Sequence, residues 1–173
     1  MIAVFQHDMH ASRVLVLLAH PEVRVRLAAV TALSNLDSME SSDEFCAALQ
    51  DTSAEVRIAA AAGLALHGDL GALPTLREKL QRREFSELAT AESRGIMVAY
   101  AKLGQAESVP LLDWMLNKRR FLRHRMPAHV RIGAAQALTY IDHPEAQRAL
   151  RKSLRDRNLV VQSIVRSAMR NAR

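Results

Sequence analysis

The 173-residue sequence has a single cysteine, Cys46, so no disulfide can form within the chain. That excludes the stapled frameworks of small secreted domains and suits a reducing compartment. Cys46 itself reads as a small packing residue. Aromatic residues make up only 4% of the chain, with one Trp, two Tyr and four Phe. No apolar run approaches the ~18–20 residues that a membrane-spanning helix needs. The N-terminal stretch, with His7, Asp8 and His10, lacks the basic start of a secretory signal, so none is expected. No Cys-x-x-Cys, Gly-rich phosphate loop or nucleophile elbow occurs. No catalytic and no cofactor-binding residue is therefore assigned. His7-Asp8-x-His10 and His124-x4-His129 have the spacing of metal ligands. The first lies in a terminal segment and Pro127 interrupts the second, so no metal is assigned either.

What is present is alanine and leucine, the composition of closely packed helices. One stretch recurs: Val25-Arg26-Leu27-Ala28-Ala29, Val56-Arg57-Ile58-Ala59-Ala60 and Val130-Arg131-Ile132-Gly133-Ala134, each closed by Leu33, Leu64 or Leu138. A weaker copy starts at Val161, with Gln162 in place of the arginine. Val25 to Val56 and Val130 to Val161 both span 31 residues, and 74 residues separate Val56 from Val130. The middle copy is thus diluted by insertions at Arg82–Leu88 and Lys118–Pro127, and Glu92-Ser93-Arg94 shifts its arginine by one. A two-helix unit of this length buries its apolar face only against neighbours.

Breaks and caps place the helices. Val14, Leu15, Leu17 and Leu18 give His10–Ala19 an apolar face at helical spacing, and Pro21 should open the next helix over about 22–36. A short helix follows over 41–49, and Thr52-x-x-Glu55 fits a capping box for the helix over 54–67. Gly68 should stop that helix in the left-handed conformation. Pro74 and Pro110 each lie six residues after a glycine, early in a second helix, where proline costs few backbone bonds. Further helices are expected over 89–103, 106–116, 144–150 (capped by Asp142) and 158–170. Trp114, Tyr100 and Tyr140 read as packing residues, the tyrosines with wet hydroxyls. Phe85, in the first insertion, is open between packing and binding.

The charge is uneven. Residues 1–87 hold eight Lys/Arg and twelve Asp/Glu, whereas residues 88–173 hold sixteen and six. A one-sided positive field favours an anionic partner. Its densest part is Lys118, Arg119, Arg120, Phe121, Leu122, Arg123, His124 and Arg125, within an insertion relative to the period. Insertions of repeat proteins map to loops on one face, often the binding face.

The Val-Arg-x-x-Ala-Ala core at Val25, Val56 and Val130, with Gly68-Asp69 and Ala72-x-Pro74-x-Leu76, resembles the HEAT-repeat proteins. It is most similar to their short-repeat branch, the phycobilisome-lyase (PBS lyase) HEAT-like repeats. The resemblance implies an all-α fold: one domain over 1–173, a right-handed α-solenoid of about four to five helical pairs. It implies that Arg26, Arg57 and Arg131 form a structural ladder with acidic groups of the adjacent repeat, Asp51, Asp37 or Asp156. It also implies binding of proteins on the second-helix face. The deoxyhypusine hydroxylases of this fold bind iron through His-Glu pairs, and the chain has no His-Glu dipeptide. The expectation is a non-enzymatic bacterial, cytoplasmic adaptor or scaffold, without cofactor, that binds an acidic protein on the second-helix face. Lys118, Arg119, Arg120, Phe121, Arg123 and Arg125 would contact that partner. Nucleic-acid binding through the basic half stands second, and an accessory subunit of a lyase-type enzyme third. The oligomeric state stays open.

Overall fold

The computed structural model describes residues 14–36, 42–117 and 126–171, and among them there is no strand. Residues 14–17 are helical. Nine longer helices follow among the described residues: α1 (Val23–Ser34), α2 (Ser42–Ala48), α3 (Ala54–His67), α4 (Leu73–Gln81), α5 (Thr90–Gly104), α6 (Val109–Asn117), α7 (Ala128–Leu138), α8 (Pro144–Lys152) and α9 (Leu159–Asn171). None of them is long and apolar enough to cross a membrane. Three short 3-10 turns, Leu70–Ala72, Arg83–Glu87 and Gln105–Ser108, join them. The chain groups into two compact units, one up to Ala72 and one from Leu73 onward.

The helix ends show which local signals win. Gly68 closes α3 with φ 73°, the left-handed conformation that costs an L residue most. Its N–H donates to the Leu64 carbonyl. Pro74 and Pro110 are the second residues of α4 and α6, within the first turn, whose N–H groups have no helical acceptor. Three expected starts are displaced. Pro21 does not open α1; the cap is Glu22 and the helix begins at Val23. The capping box fails, because the cap of α3 is Ser53, with no side-chain cap bond. Asp51 has taken the Ser53 N–H instead, at 2.7 Å. Nor does Asp142 cap α8: His143 does, its Nδ1 accepting from the Glu145 N–H, with Pro144 as the first helical residue.

Within the first unit α1 packs along α3, and α2 packs on α3. The contact surface is Ala29, Val30 and Leu33 from α1 and Val56, Ala60, Ala61 and Leu64 from α3, all buried. Alanines here let the helix axes approach closely, and the leucines fill the space beside them. Within the second unit α5 packs most extensively on α7, which in turn packs on α6 and α9. Ile96, Met97, Tyr100, Leu112, Met115, Val130, Ala134, Ala135 and Leu138 are its buried centre. The first insertion is anchored rather than loose: Phe85 of the turn Arg83–Glu87 is buried.

Gly63 marks the tightest fit in the first unit. A Cβ added there would overlap the ring of Phe45, which is itself buried in α2. A ring held in a packed core cannot yield as a flexible chain end can. Gly63→Ala should therefore destabilise the protein by about 1–3 kcal/mol and lower its Tm by several degrees. An unchanged melting curve would show that the Phe45 ring is free to move.

Candidate protein-interaction surface

The repeat arginines lie in the first turn of the first helices, the fourth residue of α1, α3 and α7, and reach back to the turns that precede them. Arg26 Nε and Nη2 donate to the Asp51 carboxylate at 2.7 and 2.9 Å. Arg131 Nη1 donates to both oxygens of Asp156, at 2.7 Å each, and this pair is buried. The spacing is 25 residues both times. The carboxylates serve a second role, accepting the N–H two residues on, from Ser53 and from Asn158. Each arginine also reaches backward to carbonyls of its own turn. Arg26 donates to His20 and Pro21, Arg57 to Asp51 and Thr52, and Arg131 to Met126. Asp37, one of the carboxylates considered for these arginines, lies outside the described residues.

Two members of this arrangement escape the sequence motif. Gln162 donates to the Asp156 carbonyl at 2.6 Å, the bond that Arg57 makes to Asp51. His20, 31 residues before Asp51, accepts the Glu22 N–H through Nδ1. Gln162 stands at the arginine position of the weaker copy, whereas the offset of 31 was the only sequence signal for His20. In the middle unit the burial pattern puts Glu92 at the place of the motif valine and Ser93 at the place of the arginine. Both are buried, whereas Arg94 faces solvent. The arginine has not slipped by one; its position holds a serine.

The second helices of the second unit share a pattern. Leu73, Leu76 and Leu80 of α4 match Val109, Leu112 and Leu116 of α6, with prolines at 74 and 110. Ala146 and Leu150 of α8 match Leu112 and Leu116. In this register Glu78, Trp114 and Arg148 occupy one equivalent position, and all three are exposed. The expectation that Trp114 packs in the core is thus overturned: it is 41% exposed. The reason is phase. Leu112, Met115 and Leu116 take the inward positions of α6 and leave residue 114 on the far side. Tyr100 takes the opposite course. It is buried, and its hydroxyl accepts from Arg77 Nε at 3.1 Å.

Polar links hold α6 and α8 beside each other. Asn117 Nδ2 donates to the Ala149 carbonyl, and its Oδ1 accepts from Ser153. Lys152 pairs with Asp113 at 2.6 Å, next to Trp114 in the chain. An open depression beside α4 is lined by Leu73, Pro74, Arg77, Glu78, Gln81 and Glu107. Arg77 is pinned there between the Tyr100 hydroxyl and Glu107. Tyr140 is exposed, with the Lys102 ammonium 5.3 Å from its ring centre.

The basic stretch Lys118, Arg119, Arg120, Phe121, Arg123 and Arg125 lies outside the described residues, as do His7, His10 and His124. Among the described residues no group of three or more His, Cys, Asp or Glu could hold a metal ion.

Residues 11–95 match a family model described as HEAT repeats. With the helices above, this puts the chain in the all-α, α-solenoid class of fold. Among curated proteins none matches the chain in sequence. Among solved structures it is similar to that of human deoxyhypusine hydroxylase in complex with glycerol. Identity there is 14% and the TM-score 0.40, over 92% of this chain and 83% of that one.

Two predictions follow from the arginine turns. Asp156→Ala strands a buried guanidinium, which costs about 3–5 kcal/mol. Replacing Arg131 and Asp156 together by apolar residues should cost less than Asp156→Ala alone, measured by denaturant unfolding. A double loss equal to the sum of the losses from replacing Arg131 alone and Asp156 alone would mean that the two groups do not interact. At Asp51, hydrogen bonds from Arg26 hold the carboxyl below its ordinary value of 3.8. A depressed folded-state value stabilises the fold above the unfolded value, and that stability is lost as pH falls through the folded one. The melting gap between the wild type and Asp51→Asn should be full above about pH 4 and close below it. A gap independent of pH would contradict the charge pairing.

Proposed function

We propose, from the premise that the chain carries HEAT repeats, that it is a protein-binding module. Its binding surface would be the second-helix face of residues 73–173. The observation that supports this most is Trp114. A chain with a single tryptophan, otherwise sparing with aromatics, holds it on the solvent side of α6. Exposing an indole wastes burial energy unless another surface covers it. Tryptophan is also among the residues that carry most binding energy at protein interfaces, where a central aromatic is ringed by polar groups. Glu78, Arg148 and the Asp113–Lys152 pair supply such a rim.

The basic stretch that continues from α6 belongs to the same proposal. Lys118, Arg119, Arg120, Phe121, Arg123 and Arg125 would extend the surface toward an acidic partner. Arginine suits this role because its planar fork meets carboxylates with two donors. The part played here is that of an adaptor, with no chemistry assigned to it. The excess of Lys/Arg in residues 88–173 supports a second reading, binding to nucleic acid.

Affinity capture from the native cell, with and without nuclease, separates the two. A protein-binding module retains its partner after nuclease treatment, and Trp114→Ala weakens that partner's binding by roughly 30-fold or more. Trp114→Ala should lower the melting temperature by no more than a few degrees, since the side chain is only partly buried. If Trp114→Ala retained every partner at wild-type strength, the surface would be wrongly placed. If nuclease released them all, the nucleic-acid reading would hold. Alanine at Arg119, Arg120, Arg123 and Arg125 tests the basic stretch separately.

A further inference from the structure

The corner between α8 and α9 departs from the corresponding corners of the other repeats. Leu159 and Val160, the first residues of α9, are 77% and 52% exposed, and Leu154 in the turn is 38% exposed. At the two helical positions the earlier repeats carry Val23 and Arg24, Ala54 and Glu55, and Ala128 and His129. Leu154 corresponds to Leu49, which is fully buried. The exposure of Leu159 and Val160 is not a consequence of their helix being the last one described. Glu55 and Ala128 are exposed too, although further helices follow α3 and α7. In the earlier repeats these positions are exposed or half-buried, and only this repeat fills both with large apolar side chains that are exposed.

The charge around them is of one sign. Arg151 near the end of α8 and Arg155 and Arg157 in the turn are exposed. The one acid of the corner, Asp156, is buried against Arg131 and shows no charge to solvent. The outer stripe of α9 continues through Ser163, Arg166 and Arg170, all exposed, and the helix contains no Asp or Glu. The corner is also rigid. Asp156 Oδ1 takes the Asn158 N–H, and Asn158 Oδ1 takes those of Val160 and Val161. Apolar side chains presented by a fixed turn, within a ring of arginines, fit a partner that is anionic at its surface and apolar just beneath.

We propose that the α8–α9 corner is a peripheral docking site for an anionic lipid bilayer, with Leu154, Leu159 and Val160 entering the headgroup boundary and Arg151, Arg155 and Arg157 meeting acidic headgroups. A bilayer offers both parts of this chemistry in one surface: apolar area to bury and a negative potential that reaches about a Debye length. Leu154 lies in the turn and Leu159 and Val160 open α9, so the three apolar side chains fall within one corner. The site is separate from the Trp114 surface and does not rest on it.

Co-sedimentation of the full chain with phosphatidylcholine vesicles, with and without phosphatidylserine, tests this. The chain should bind only the vesicles that contain phosphatidylserine, and less as salt rises. Leu159→Ser with Val160→Ser should weaken binding by about tenfold or more, and so should Arg155→Glu with Arg157→Glu. All four residues are exposed, so both variants should melt like the wild type, and Trp114→Ala should bind vesicles as the wild type does. No binding to phosphatidylserine vesicles overturns the proposal. So does binding that survives the serine substitutions, which would reduce the corner to a general positive charge. Binding to duplex DNA but not to vesicles, lost with Arg155→Glu and Arg157→Glu, would assign the arginines to nucleic acid instead.

Discussion

The constraint on which each repeat depends is the satisfaction of the turn before its first helix. A sharp turn leaves carbonyls pointing away from any helix, and near a packed core these need donors. A guanidinium carries five donors in a fixed plane, so one side chain can serve two carbonyls and a carboxylate together. Arg26 does this, bridging His20 and Pro21 to Asp51. Asp51 in turn fixes the next turn through the Ser53 N–H. Arg131 and Asp156 repeat the geometry in the second unit, more deeply buried. Where no further carboxylate is engaged, a neutral amide suffices: Gln162 satisfies the Asp156 carbonyl alone.

Close packing is the second constraint, and it trades side-chain volume between neighbours. The ring of Phe45 lies where a Cβ at residue 63 would be, and Met97 lies where one at residue 133 would be. Glycine in these helices costs helical propensity, and the core recovers it by seating a large side chain. The economy in aromatic residues fits this scheme, because alanine-faced helices leave little room for rings. Phe45, Phe85 and Tyr100 are buried, and Trp114 is left partly exposed.

With the turns and faces fixed, the outward positions are free to vary, and the second unit varies them most. One equivalent position runs Glu78, Trp114, Arg148 along the second helices. Another changes Glu55 and His129 to Val160 at the start of first helices. Neither change alters the inward pattern, so surfaces of different chemistry sit on one repeating frame. That is the usual division in repeat folds, where the scaffold repeats and the binding residues do not.

The sequence by itself determined the helices and their order. The 31-residue offset, the alanine positions, Gly68 and the paired prolines are local signals, and local backbone physics is enough to read them. The sequence also offered Asp51 and Asp156 among three carboxylates for the repeat arginines, although it could not say which arginine meets which. Tertiary structure decided the rest. Trp114 follows Leu111 and Leu112 and looks like core, but helical phase against α7 and α8 turned it outward. Thr52 and Glu55 spell a capping box, but the cap of α3 is Ser53 and the Thr52 hydroxyl accepts from Arg26 instead. Glu92-Ser93-Arg94 looks like a slipped motif until burial sets the register of α5. In each case a competing contact, supplied by residues distant in the chain, outweighed a local preference of about 1 kcal/mol or less.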